Sequence, residues 1–398
     1  MITIIQVNPE SLENVKQAMV KLIEQLSYKP SKPRIFLKPN IVDALAPKLA
    51  VDVDPIVCAG LILALNDKFD IEEFVIGENS GYFSEKPENF QTLIEKSGYK
   101  QMVETLKEEY DVPIRLVNLE YADLDEYTWK FPPYKLKLPS LLKTHSYINL
   151  PKMKTHGACM VTLGAKNQKG LLLLRDKKKF HLGYRDENNI YHSNLHECIF
   201  ELGNVIQPEL TICDATLALE GNGPTTIPGL TWVRKLNICI GGTDMMEVDN
   251  ASCQIMGIPV DLVEHLPKIN VSLAPGSLPL TCEEPFKRPV KLNRPFGNTY
   301  YHSSMWTCTG CQMTLTRMNR KISYSPELRK KLRQRNKKYD RIDFFVGRTE
   351  EENIPEEHGV LFFCGNCTKK VAQLFPDATH VSGCPPHYRD LSEIFVNL

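Results

Sequence analysis

Short β-branched runs alternate with stretches whose apolar residues recur at helical spacing through the first half of the chain, the pattern of a mostly parallel α/β sheet. Residues 1–7 read as a strand, 10–26 as a helix, 34–37 as a strand, 55–65 as a helix and 74–76 as a strand. A helical stretch over 90–109 follows, with further strands over 114–117, 146–149, 210–213 and 236–240. After Cys282 the periodicity fades among Pro285, Pro289, Pro295 and Gly297, which is the composition of a connection. Beyond it, strands fit 300–307, 342–346, 360–363 and 379–382, and helices fit 368–374 and 388–396. The expected organisation is an α/β domain over 1–281, a connection over 282–299 and a smaller α/β cysteine-rich metal domain over 300–398.

Polar motifs follow the carboxyl ends of the predicted strands. They are Lys38-Pro39-Asn40, the loop 77–81, Leu150-Pro151-Lys152-Met153-Lys154-Thr155-His156, Asp214-Ala215-Thr216 and Gly241-Gly242-Thr243-Asp244. Ligands of open α/β sheets bind outside those ends, so the five motifs predict one rim and a pocket. Lys152, Lys154, Lys166 and Lys169, with His156, Asn167 and Gln168, form an anion-binding inventory. Lys38, Asn40, Lys152, Lys166 and Asn167 are expected to bind a carboxylate or phosphate, with Lys154 beside them. His156 is expected to transfer a proton and Asp214 to orient the lysines. A lysine desolvated on such a rim can also act as a base or a carbonyl-binding nucleophile. Salt bridges account for part of the same composition, Asp249 and Glu220 above all, and Lys177, Lys178 and Lys179 read as a solvated basic loop. No Walker-type or Rossmann glycine fingerprint occurs there. His192 and His196 lie four apart, a spacing better explained by a helix start than by a metal face.

The last quarter contains Cys308-Thr309-Gly310-Cys311, Cys364-Gly365-Asn366-Cys367 and Gly383-Cys384-Pro385-Pro386. Two C-x-x-C pairs beside glycine and proline let thiolates converge on one centre, so Cys308, Cys311, Cys364, Cys367 and Cys384 are the expected metal ligands. The Cys-Pro step favours a [4Fe-4S] cluster, with zinc in an S4 site as the alternative and disulfides as the remaining reading.

These cysteine motifs resemble those around the proximal cluster of nickel–iron hydrogenase small subunits, over about the last quarter of the chain. The resemblance implies Cys308, Cys311, Cys367 and Cys384 as ligands of one [4Fe-4S] cluster, with Cys364 as a neighbour. Residues 1–265 resemble the family called domain of unknown function 362, through the lysine motifs above, Asp214, Glu220-Gly221-Asn222-Gly223-Pro224, Asp244 and Asp249. Members of that family are often iron–sulfur proteins with ferredoxin-like cysteine runs. This chain has no C-x2-C-x2-C-x3-C-P run, so their cluster type does not carry over.

Composition narrows the partners. The chain has 398 residues, is 42% hydrophobic and 24% charged, and has zero formal net charge, which gives no overall attraction to nucleic acid or anionic membranes. No export leader or membrane-length apolar run is visible, and twelve cysteines without a leader argue for a reducing, cytoplasmic setting. Seven of them (Cys58, Cys159, Cys198, Cys213, Cys239, Cys253 and Cys282) read as core packing. Eleven Lys or Arg over 317–341 read as a solvated helix or a docking face for an acidic redox partner protein. The expected function is an iron–sulfur oxidoreductase acting on a small anionic substrate. The alternatives are a non-redox isomerase or lyase, and an electron-transfer or metal-delivery protein, with homo-oligomerisation left open.

Overall fold

The structure is a computed structural model that describes residues 1–79, 87–131, 135–182, 184–185, 191–192, 195–226, 229–289, 296–303, 309–347 and 349–398. The chain forms two compact units, Met1–Val290 and Lys291–Leu398, and the division falls inside the 282–299 segment.

The larger unit is built on a nine-stranded sheet. Its strands are β1 (Ile2–Gln6), β2 (Arg34–Pro39), β3 (Glu73–Glu78), β4 (Ile114–Asn118), β5 (Ser146–Leu150), β6 (Lys152–His156), β7 (Met160–Thr162), β8 (Leu210–Gly221) and β9 (Thr231–Gly242). The order is β1-β9-β8-β5-β2-β3-β4, with β6 pairing β8 and β7. The pairs among β2, β3, β4, β5, β6 and β8 are parallel, whereas β9 runs against both β8 and β1. Helices cover both faces of the parallel region, which is why β2 reads as a continuous apolar run. Ile35 and Leu37 enter one core, and Phe36 enters the opposite one with Val75 and Tyr147.

Local chemistry starts the two helices behind the first core. Ser11 accepts from Asn14 N at 3.2 Å to open α1 (Leu12–Gln25). Asp54 accepts from Ile56 N at 3.1 Å to open α2 (Pro55–Lys68), with proline in the first helical turn, where its missing N–H costs nothing.

Three sequence expectations are corrected here. The helical stretch 90–109 is two helices, Pro87–Lys96 and Tyr99–Tyr110, because Gly98 between them takes φ +83°. The segment after Leu150 is a further strand, β6, beginning immediately after Pro151. Finally, β9 is antiparallel, so its carboxyl end, Gly241 to Asp244, heads toward the amino ends of the parallel strands and does not join the rim. Gly242 pairs with Thr211 at the start of β8, and Asp244 caps α4 (Met245–Ile255) by accepting from Met246 N at 2.8 Å.

The smaller unit has a four-stranded parallel sheet in sequential order: β10 (Thr299–Ser303), β11 (Ile342–Val346), β12 (Val360–Cys364) and β13 (Thr379–Val381). Phe344 stacks on Phe362, and Phe395 of α7 (Tyr388–Val396) meets both edge-on. Helices α5 (Thr309–Tyr324) and α6 (Pro326–Lys338) carry the basic run. One of its arginines is structural: Arg335 is buried, lies over the Phe395 ring and donates to Thr299 Oγ1 at 3.0 Å.

Candidate functional site

The rim of the larger unit lies where β5 hands over to β6. Pro151 has no N–H to continue the ladder, and its carbonyl instead accepts from Asp214 N at 2.9 Å. Opposite it β8 bulges, with Asp214 facing Lys152 and Leu219 facing Lys154. Asp214 holds the bulge by accepting from Thr216 N at 2.9 Å and Thr216 Oγ1 at 2.7 Å. Residues of a strand alternate between its faces, so Lys152 and Lys154 share a side while Met153 enters the core behind.

The lysines are consumed inside the protein to an extent the sequence does not reveal. Lys38, Lys152 and Lys154 have no exposed surface. Lys152 Nζ donates to Asp214 Oδ2 at 2.6 Å, and the same oxygen accepts from Asp54 N at 2.9 Å. Lys38 Nζ donates to Glu78 Oε2 at 2.6 Å and to Pro39 O at 3.0 Å. Lys154 Nζ donates to Asn40 Oδ1 at 2.6 Å and to the Val51 carbonyl. Asn167 links these groups, accepting from Asn40 Nδ2 at 3.0 Å and donating to Lys38 O and Asn149 Oδ1. Gly170 is required by this packing, since a Cβ there would lie 2.5 Å from Lys38 Nζ.

Burial sets the protonation of the group. It pulls the Lys154 ammonium down to about 7 and pushes the Asp52 carboxyl up to about 7, each partly offset by the other's charge. Asp52 Oδ1 accepts from Val42 N at 2.6 Å, and its buried Oδ2 finds no partner among the described residues. Asp249 is also raised to about 7 by burial, although it accepts from Gly164 N and Ala165 N at 2.7 and 2.8 Å. These two bonds cap α3 (Gly164–Asn167), which carries Lys166 and Asn167.

Lys166 differs from its neighbours. Burial lowers its ammonium from the ordinary lysine value, with Cys159 as the offsetting group. Thr162, paired with Lys154 across β6 and β7, is also buried with its hydroxyl unpartnered.

His156 has a different place from the one expected. Its Nδ1 accepts from Ala158 N at 3.0 Å and Cys159 N at 3.2 Å, which fixes the β6–β7 turn and puts the ring proton on Nε2. His196 pairs with His265, Nδ1 to Nδ1 at 3.2 Å, and His192 belongs to a separate short strand, Tyr191–His192. Sequence reasoning missed Asp52, Glu78 and Lys177. Lys177 is buried and donates to Asn79 Oδ1 at 2.6 Å, correcting the expected solvated loop. Cys282 is exposed and departs from the expected core role.

In the smaller unit, three hydrogen bonds lace the loops after β12 and β13. Gly365 N donates to Val381 O at 2.8 Å, Asn366 N to Gly383 O at 2.9 Å, and Gly383 N to Asn366 Oδ1 at 2.7 Å. Thr314 of α5 donates to Pro386 O at 3.2 Å, tying the helix of Cys311 to the loop of Cys384. A Cβ on Gly365 would lie 3.5 Å from Cys367 Sγ and 3.6 Å from Cys311 Sγ, so the two sulfurs converge on the space its missing side chain leaves. Gly365 has φ +102°, a second reason for glycine there. Cys364 is buried in the core below, Cys384 is half-buried, and Cys308 lies outside the described residues. Two thiol sulfurs beside a glycine-lined gap have the chemistry of soft-metal ligands. Among the described residues no group of three or more His, Cys, Asp or Glu is arranged to hold a metal ion.

A parallel sheet with buried charges at its strand ends defines an α/β domain with a carboxyl-end polar centre. Residues 35–254 match the family model described as "Domain of unknown function (DUF362)", and the chain belongs to that family. It is also similar to the thylakoid-associated protein sll1697 of a Synechocystis species, 28% identical over 194 residues, which are 48% of this chain and 54% of that protein. The chain thus spans about half the length of the curated relative it matches. No described helix is long and apolar enough to cross a membrane.

Proposed function

We propose that the chain is an iron–sulfur oxidoreductase whose α/β unit takes a small anionic substrate. The observation that carries the redox half is the convergence of Cys311 and Cys367 sulfurs over Gly365. Cys308, Cys311, Cys367 and Cys384 would hold a [4Fe-4S] cluster, with Cys364 supporting them from the core. Such a group supplies one-electron transfer when bound. A redox partner protein would exchange electrons with it, in the reducing setting of the cytoplasm.

On the α/β unit, the buried lysines divide into two roles. Lys38 and Lys152 neutralise Glu78 and Asp214 and hold the rim's shape, while Asn40 and Asn167 join them. The Thr162 hydroxyl, buried without a partner among the described residues and paired across the strands with Lys154, supports an oxyanion subsite there. Lys154 and Asp52, both close to neutral in their titration, are better suited to move a proton than His156, whose Nδ1 is committed to the turn. The same pair supports a second reading, a non-redox isomerase or lyase with a structural zinc, since proton transfer alone needs no electrons.

Anaerobic purification with iron, zinc and acid-labile sulfide analysis tests the proposal. Iron and sulfide near about four each, with absorption near roughly 400 nm that bleaches with dithionite, is the expected result. A colourless protein loaded with zinc overturns the redox reading.

A further inference from the structure

We propose that the open stretch of β9, residues 231–236, is a docking edge for a second copy of this chain, the two strands pairing antiparallel about Val233. This surface is independent of the redox reading.

β9 is longer than its outer neighbour. β1 pairs only with residues 238–242, and Val7 N donates to Asn237 O at 2.7 Å where the two strands part. Residues 231–236 are therefore an edge of the sheet, with β8 on one side and no strand on the other among the described residues. The hydrogen bonds fix which groups face out. Asn222 N donates to Leu230 O at 2.7 Å across the hairpin, whereas Gly221 N donates away from it, to Lys287 O at 2.9 Å. Such directions alternate along an antiparallel pair. Trp232 and Arg234, opposite Glu220 and Ala218, thus turn N–H and C=O toward β8. Val233 and Lys235, opposite Leu219 and Leu217, turn theirs outward.

Proteins usually blunt such an edge with charge, proline or a covering segment. Here it carries Trp232 and Val233, 41% and 43% exposed. Arg234 does not guard it, since its guanidinium lies over the Phe286 ring and donates to Glu284 O at 2.7 Å and Glu284 Oε2 at 3.1 Å. That leaves Lys235 as the exposed charge of the stretch.

The segment that fits this edge is the edge itself, and side-chain chemistry selects the register. A two-fold axis at Lys235 would oppose two ammonium groups, and one at Arg234 two guanidinium groups. An axis at Trp232 would run Arg234 onto Leu230, before the strand begins. An axis at Val233 sets valine against valine, each N–H donating to the other's carbonyl. Trp232 then faces Arg234 of the second copy on one face of the sheet, a cation–aromatic pair, and Lys235 faces Thr231 of the second copy on the other. Zero formal net charge puts no long-range repulsion between the copies.

Sedimentation velocity of the full chain over a concentration series reads the association. The expected result is a dimer whose dissociation constant rises about tenfold or more in Val233→Lys, where two ammonium groups meet at the axis, with circular dichroism unchanged. Val233→Pro, which removes an N–H that β8 does not use, should do the same. A parent chain that stays monomeric at about 100 μM overturns the pairing and leaves the edge to a foreign strand. A dimer that Val233→Lys leaves intact overturns it as well. Cross-linking in a Cys282→Ser background, which lacks that exposed thiol, reads the register. Val233→Cys should join to its copy on mild oxidation, whereas Lys235→Cys, about 13 Å from its copy along the strands, should not. Equal cross-linking of the two variants overturns the register about Val233.

Discussion

Lys152 and Asp214 face each other across two parallel strands, 2.6 Å apart, with neither side chain exposed. Two charges so enclosed have given up their hydration, and only the geometry of the pair, with Asp54 N and Thr216 completing the carboxylate, makes them tolerable.

Removing one member should therefore cost far more than removing both. Lys152→Met or Asp214→Leu alone is expected to lower stability by about 3–5 kcal/mol, because the surviving charge is buried unpaired. The double variant should recover a substantial part of that loss. Urea denaturation of the two single variants and the double variant checks this. A double variant as unstable as the sum of its singles would show that the pair is not coupled.

Asp52 gives a pH signature. Its carboxyl is raised to about 7 in the folded chain against an ordinary value near 4, so between those limits the folded state holds the proton that the unfolded state has lost. The contribution of this proton to stability is complete below about pH 4 and fades as pH rises through about 7. Asp52→Asn should remove that dependence, so the variant should gain on the parent by a few kcal/mol, on the order of what such a shift implies, between those limits. Chemical denaturation at pH 5, 6 and 7 measures the difference. Parallel pH profiles would contradict the assignment.

Gly170→Ala puts a methyl group 2.5 Å from Lys38 Nζ and 3.2 Å from Glu78 Oε1. The enclosed Lys38 end must shift, which strains its bond to Glu78, and a loss of about 1–3 kcal/mol is expected. Lys38→Met should blunt the effect, because the site then carries a flexible apolar end. Melting curves of the single and double variants report it.

The cysteines should separate into two classes. Cys311→Ser and Cys367→Ser are expected to lose bound metal by at least about half in anaerobic analysis. Cys364→Ala should retain it while losing stability, because Cys364 is enclosed in the core at the end of β12. Equal metal loss in all three would make Cys364 a ligand.

The legible part of the fold was the part dictated by periodicity. Ile342–Val346 and Tyr388–Val396 have the bounds expected from their apolar spacing, and the parallel strands of the first half are where their β-branched runs put them. What the sequence hid has a common cause. Lys152-Met153-Lys154 alternates as a strand should, but alternating lysines after a strand end read as an anion-binding motif on the rim unless the oxygens that receive them are known. Those oxygens, on Asp214, Asn40 and Val51, come from segments remote in the chain. Gly98 and the reversed course of β9 were invisible for the same kind of reason, since a backbone angle and a strand direction are settled by neighbours. For the site, glycine next to the cysteines pointed to converging sulfurs.

The handover at Pro151 has a final consequence. Because the carbonyl of Pro151 bonds to the backbone of Asp214, the charge pair is fastened to the sheet's own ladder. Added salt, which quenches charges bathed in solvent, has no access to it, so the rim should keep its form from dilute buffer to molar ionic strength. Whatever ionic-strength dependence the protein shows in binding or turnover would then report the encounter with an incoming molecule and not the condition of the rim that receives it.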